Sequence, residues 1–255
     1  MHNKTNSSLV YLQKKIHIMK TIKFIALAAI ALAGFTTASA EDKIEGSVSA
    51  DVVSRYIWRG QALGDAAIQP SAELSYKGLS LSAWGNFGFI DKYDDKEFDL
   101  TLSYTAKGFT VGITDYYFSS YGADNKYFEY RSHDTQHVWE AFVGYDFDFA
   151  AINWYTNIAG ADGINKSGKR AYSSYLELSA PFKLATCDWS AAVGIVPYAT
   201  SFYGDANGFA VTNVSLRATK DIKIYKNFCI PVFVEGICNP STKKGYLVAG
   251  FTIKP

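Results

Sequence analysis

The chain is 255 residues long, 48% hydrophobic and 16% aromatic, with 25 basic against 24 acidic side chains. Five lysines and no acid fall within the first 40 residues, so the rest of the chain holds 20 basic and 24 acidic groups and a net charge of −4. A mildly acidic chain lacks the basic field that nonspecific nucleic-acid binding requires, which excludes that class of partner.

The first predicted element is a leader. Met19-Lys20-Thr21-Ile22-Lys23 is followed by an apolar stretch from Phe24 to Phe35 and by Ala38-Ser39-Ala40 before Glu41. A basic start, a short apolar run and an Ala-x-Ala ending make a secretory signal peptide. The run is too short for a membrane-spanning helix, which needs about 20 apolar residues. Residues 1–18 carry no export logic, so Met19 reads as the true start and 1–40 as the segment removed on export. No cysteine lies near Glu41, so nothing supports a lipid anchor there.

From Ile44 onward the dominant pattern is alternation. Ile44, Gly46, Val48, Ala50, Val52, Tyr56 and Trp58 share one face, and Glu45, Ser47, Ser49, Asp51, Arg55 and Arg59 the other. Successive strand side chains point to opposite faces, so this is a strand with one apolar and one polar side. Ile68 to Tyr76, Leu79 to Phe89, Phe98 to Tyr104 and Phe109 to Ile113 repeat it. After Ile113 the phase breaks, because Asp115 falls on the apolar face; a β-bulge near Thr114 is expected to restore it. Further runs cover 137–147, 150–159, 170–180, 187–198, 209–219, 228–236 and 245–253. The total is about 12 strands of roughly ten residues, the length of a tilted membrane-crossing strand.

The connections alternate in length. Short turns are expected at Lys77-Gly78, Ala106 to Gly108, Asp146 to Ala150, Pro181 to Ala185 and Thr219 to Asp221. Longer polar loops are expected at 60–66, 90–96, 119–136, 160–169, 199–208 and 237–244. This predicts an all-β fold for residues 41–255, an antiparallel transmembrane β-barrel with short periplasmic turns and longer outer loops. Two soluble rivals are weaker. A β-sandwich or a lipocalin-like barrel needs an apolar interior, whereas the second face here is rich in Ser, Thr, Asn and acids. Aromatic residues near strand ends (among them Tyr56, Trp58, Tyr76, Tyr104, Trp139 and Tyr145) suit interface girdles. The expected location is a bacterial outer membrane. The partners are its lipid and the barrel-assembly machinery.

The chemistry should lie among the inward ionisable groups Arg55, Arg59, Glu73, Asp99, Glu140, Glu177, Arg217 and Glu235. They are either selectivity groups of a polar path or ion pairs that fill the lumen, since buried charges must be paired. Inward Trp84, Phe142, Tyr155, Tyr175 and Phe233 would narrow such a path. Arg55 and Arg59 are expected to clamp acids such as Glu73 on the neighbouring strand, and Gly60 to permit the turn that follows.

Three functions follow: passive passage of small polar solutes, a non-conducting barrel that binds a partner through its outer loops, and an outer-membrane hydrolase. The hydrolase would use the 119–140 region, which holds Ser132, His133, His137 and Glu140. It requires a histidine within reach of Ser132 or Glu140, and the chain has no Gly-x-Ser-x-Gly elbow or His-Glu-x-x-His pair. The chain is therefore read as a non-enzyme. Cys187, Cys229 and Cys238 are an odd set without a Cys-x-x-Cys pair. Unpaired thiols, no metal and no cofactor are expected.

The stretch Ser54-Arg55-Tyr56-Ile57-Trp58-Arg59-Gly60, with Ile68-Gln69-Pro70 and Tyr76-Lys77-Gly78-Leu79-Ser80, resembles the start of the Gcw_chp family of exported bacterial barrel-like proteins. The likeness covers about 40 residues. Cys229-Ile230-Pro231-Val232-Phe233 and Asn239-Pro240 look like Bacteroidota members. The resemblance implies an exported barrel and lends no catalytic residues.

Overall fold

A computed structural model describes residues 43–90, 94, 96–120, 122–131, 134–225 and 228–254. The leader expected at 1–40 lies outside the described residues, as do Ser132 and His133.

The strands are β1 (Glu45–Val53), β2 (Tyr56–Trp58), β3 (Gln61–Gly64), β4 (Ala67–Tyr76), β5 (Leu79–Gly88), β6 (Lys96–Ala106), β7 (Phe109–Ser119), β8 (His137–Asp146), β9 (Ala151–Gly160), β10 (Ser174–Leu184), β11 (Cys187–Val196), β12 (Ala210–Tyr225), β13 (Phe228–Asn239) and β14 (Lys244–Ile253). Twelve of them, β1 and β4 to β14, close into one antiparallel barrel, and β2 and β3 form a separate hairpin. Closure is made by β1 on β14, over the short register Ala50↔Ile253 to Val53↔Gly250. A closed ladder leaves no strand edge, so every spanning backbone group has a partner within the protein.

The alternation sets the two faces. Leu81, Leu100, Leu102, Val111, Leu178, Leu216 and Val234 are exposed on the outer wall. Tyr76, Tyr104, Phe109 and Tyr145 are exposed beside the short turns. Such an apolar band edged by aromatics is what a barrel presents to lipid.

The lumen is not uniform along its length. At the long-loop end the inward polar residues Glu97, Asp99, Thr114, Glu140, Asn157 and Asn239 are buried. At the short-turn end inward Glu45, Ser47, Glu73 and Thr105 are exposed. The interior is a cup, filled at one end and open to water at the other.

Three details correct the sequence reading. The run expected from 44 to 59 breaks at Ser54, where the Ser54 N–H donates to the Ala249 carbonyl at 2.8 Å and the Ser54 hydroxyl accepts from the Ala249 N–H at 2.9 Å. Tyr56 and Trp58 therefore belong to the hairpin and not to a girdle. No bulge occurs at Thr114: β7 pairs continuously with β6 and β8, so Asp115 does face outward. Two of the expected turns lie further along. Pro181 pairs with Ser190 inside the barrel, and β12 runs on to Tyr225, with Asp221 paired to Pro231. Phe182 to Leu184 and Lys220 to Tyr225 at those strand ends are exposed.

Candidate functional site

The filled end of the cup is built on the β2–β3 hairpin. Trp58 pairs with Gln61, and the two residues between them, Arg59 and Gly60, have φ of 49° and 79°. Paired positive φ values make the tight turn whose twist matches a hairpin. The short turns Lys77-Gly78 and Lys107-Gly108 share this signature. Gly60 cannot be replaced cheaply, because a Cβ there would collide with the Thr212 carbonyl of β12.

The hairpin enters the lumen and reaches most of the wall. The Tyr56 hydroxyl donates to Glu97 of β6 at 2.8 Å, and its ring lies 5.6 Å from Trp84 of β5. Ile57 packs on the apolar cluster of Val53, Ala67, Phe233, Ile237 and Val248, from β1, β4, β13 and β14. Trp58 lies on the opposite cluster, 5.7 Å from Tyr116 and 5.8 Å from Tyr203. The Gly60 carbonyl accepts from the Asn239 side-chain amide of β13 at 3.0 Å.

Arg59 sits at the centre. Its Nη1 and Nη2 donate to the Oε2 and Oε1 of Glu140 at 2.5 Å and 2.9 Å, a forked pair. Glu140 is fully buried and also accepts from the Tyr116 and Tyr203 hydroxyls at 2.8 Å and 2.9 Å. The guanidinium carbon lies 4.5 Å from the centre of Trp58, 4.1 Å from Tyr155 and 4.6 Å from Tyr175. A guanidinium among aromatic faces, with its donors on one carboxylate and on the Tyr203 hydroxyl, is a charge whose lost hydration has been replaced group by group.

The predicted residues separate into three sets. Arg59, Glu140 and Asp99 lie at the filled end. Glu177, Arg217 and Glu235 line a cavity just below the hairpin tip. Arg55 and Glu73 are elsewhere: Arg55 is exposed and reaches Asp65, at 3.4 Å, and Glu73 stands at the open mouth beside Ser47 and Ser82. The expected clamp from Arg59 to Glu73 is thus corrected. The hairpin turn carries Arg59 across the lumen to β8, away from the neighbouring strand. Of the expected inward rings, Tyr155 and Tyr175 contact Arg59, Trp84 contacts Tyr56, and Phe233 lies in the cluster under Ile57.

Tyr203, Tyr116 and Asn239 complete the site, and none of them is among the inward charges and rings expected from the sequence. Tyr203 belongs to a connection read only as polar, and nothing local marks it.

The 119–140 region divides across the wall. Glu140 points inward, while His137, three residues earlier, points outward. His137 Nε2 donates to the Tyr127 carbonyl at 2.6 Å, and its Nδ1 shares a 2.7 Å hydrogen bond with Asp115. Rings of Tyr117 and Tyr130 cover the imidazole at 4.8 Å and 4.3 Å. Asp115 is tolerated on the outer face because His137 partners it and the returning loop covers it. His137 and Glu140 are therefore not brought together as the hydrolase arrangement requires. Cys187, Cys229 and Cys238 are free thiols.

No family model matches the chain and no curated protein matches it. Among solved structures, a Salmonella typhi OmpF in complex with daunomycin is similar to it at 12% identity, over 84% of this chain and 98% of that one, with a TM-score of 0.35.

Proposed function

We propose that the protein resides in a bacterial outer membrane as a barrel held shut at its outer end by its own first loop. The observation that supports this is the fit of the β2–β3 hairpin, whose four residues Tyr56, Ile57, Trp58 and Gly60 contact opposite sides of the lumen around the buried Arg59–Glu140 pair. A pore needs a continuous aqueous path lined by polar groups. Here Glu97, Glu140 and Asn239 of the outer half bond to the hairpin. The exported-barrel resemblance, the apolar outer wall and the uneven loops agree with this location. The loops at the closed end then present a surface for partners.

The second reading, passive passage of small polar solutes, is favoured by the water-exposed lower half of the cup. It requires the hairpin to leave the lumen. Planar-bilayer conductance separates the two. The closed reading expects the wild-type barrel to be silent. It expects a variant with residues 55–64 replaced by a short Gly-Ser link to give stable channel steps. Steps of equal size from both proteins would reject closure by the hairpin.

A further inference from the structure

Beneath the hairpin tip lies a cavity of about 390 Å³, roofed by Ile57, Arg59 and Gly60. This volume is within the ~300–1,000 Å³ range of small-molecule sites. Its wall carries three charged side chains, Glu177 of β10, Arg217 of β12 and Glu235 of β13. Hydroxyls and an amide from Ser179, Ser190, Ser215 and Asn213 stand among them.

The charges are unevenly engaged. Arg59 overhead has its forked donors on Glu140, so it does not neutralise the wall. The Arg217 guanidinium carbon lies 3.5 Å from the centre of the Phe233 ring, and the group makes a long ion pair with Glu235 at 3.9 Å, beyond hydrogen-bond distance. Glu177 accepts one hydrogen bond, from the Tyr175 hydroxyl at 3.2 Å. Glu177 thus faces the cavity with most of its acceptor capacity free, and Glu235 faces it beside a guanidinium 3.9 Å away. A carboxylate in a narrow polar recess favours a cation that can donate several hydrogen bonds.

We propose that this cavity is a binding site for a small hydroxylated amine, of the amino-sugar class, entering from the open end of the cup. The ammonium is held by the acidic wall that Glu177 and Glu235 contribute, and the sugar hydroxyls meet the serines and Asn213. The assignment concerns the wall of the cup and goes beyond the closed-barrel reading, although it uses the hairpin as its roof.

The test is isothermal titration of the full folded chain in non-ionic detergent micelles with glucosamine, N-acetylglucosamine and glucose. Glucosamine is expected to bind about tenfold or more tightly than either neutral sugar. The doubly substituted variant Glu177→Gln with Glu235→Gln should lose that preference. Arg217→Gln, which removes the opposing charge, should strengthen glucosamine binding and keeps the test decisive if the double variant fails to fold. Equal binding of all three sugars, no binding of glucosamine, or full binding by a folded double variant would each overturn the proposal. Because titration does not depend on conductance, a conducting barrel would reject closure at the outer end without touching this result.

Discussion

The two halves of the lumen are made from the same alternating pattern and yet behave as different materials. In the outer half, Glu97, Glu140 and Asn239 are buried, and each meets a group from the hairpin or a loop. In the inner half, Glu45, Glu73 and Thr105 meet water. The difference is not one of residue type. It arises because the β2–β3 hairpin of the first loop folds inward at one end only. A polar side chain in a barrel interior is a solvated lining or a bonded core according to whether another segment displaces its water.

The largest expected effect is at the centre of the filled half. Arg59→Ala leaves Glu140 buried without its cation, and breaking one partner of such a pair costs about 3–5 kcal/mol. The folded barrel should lose its resistance to heat on unboiled gels. Adding Glu140→Gln should restore part of that loss, since the stranded charge is removed. Equal resistance of Arg59→Ala and wild type would show that the hairpin is not held by this pair. Next comes Asn239→Ala, which removes the donor to the buried Gly60 carbonyl and costs about 1–3 kcal/mol. Protease cleavage near Gly60 should speed up accordingly.

In the open half, Glu73→Gln should change stability by no more than about 0.5 kcal/mol, as for an exposed surface position. A large loss in a denaturant titration would erase the contrast between the halves. The smallest effect lies outside the wall. In the loop before β8, Arg131 donates to Glu129 from its Nε at 2.8 Å and its Nη2 at 2.7 Å. These bonds hold the Glu129 carboxyl at about 2, below the usual 4.5. A lowered folded value means that the stabilisation is present above the unfolded carboxylate pKa and is lost as pH falls through about 2. Carbon-13 NMR of Glu129 should show this titration, and Arg131→Gln should return it toward 4.5.

Much of the barrel was legible in the chain. The twelve strands and the uneven loops follow from period-two alternation and from Gly and Asp at the breaks. So did the inward direction of Glu140, Glu177, Arg217 and Glu235. The hairpin was not, because Tyr56, Trp58 and Arg59 keep the phase of β1 even though Ser54 and Ile57 fall out of it. One signal was present: Arg59-Gly60 repeats the basic-Gly pair of the turns Lys77-Gly78 and Lys107-Gly108. Asp115 shows the converse. The phase alone gives its outward direction, but the partner that makes that direction tolerable, His137, lies 22 residues away.

By itself, the sequence determined which side of each strand meets an apolar surroundings and which meets polar groups, since that choice is local and set by the geometry of one strand. Only the tertiary structure decided which polar groups stay wet. Arg59 and Glu140 are 81 residues apart, and Arg59 and Tyr203 are 144 apart. Nothing in the local pattern of any one strand specifies a partner at that distance. Closing the barrel and folding its first loop inward bring them together, and with that the chain acquires one closed end and one open one.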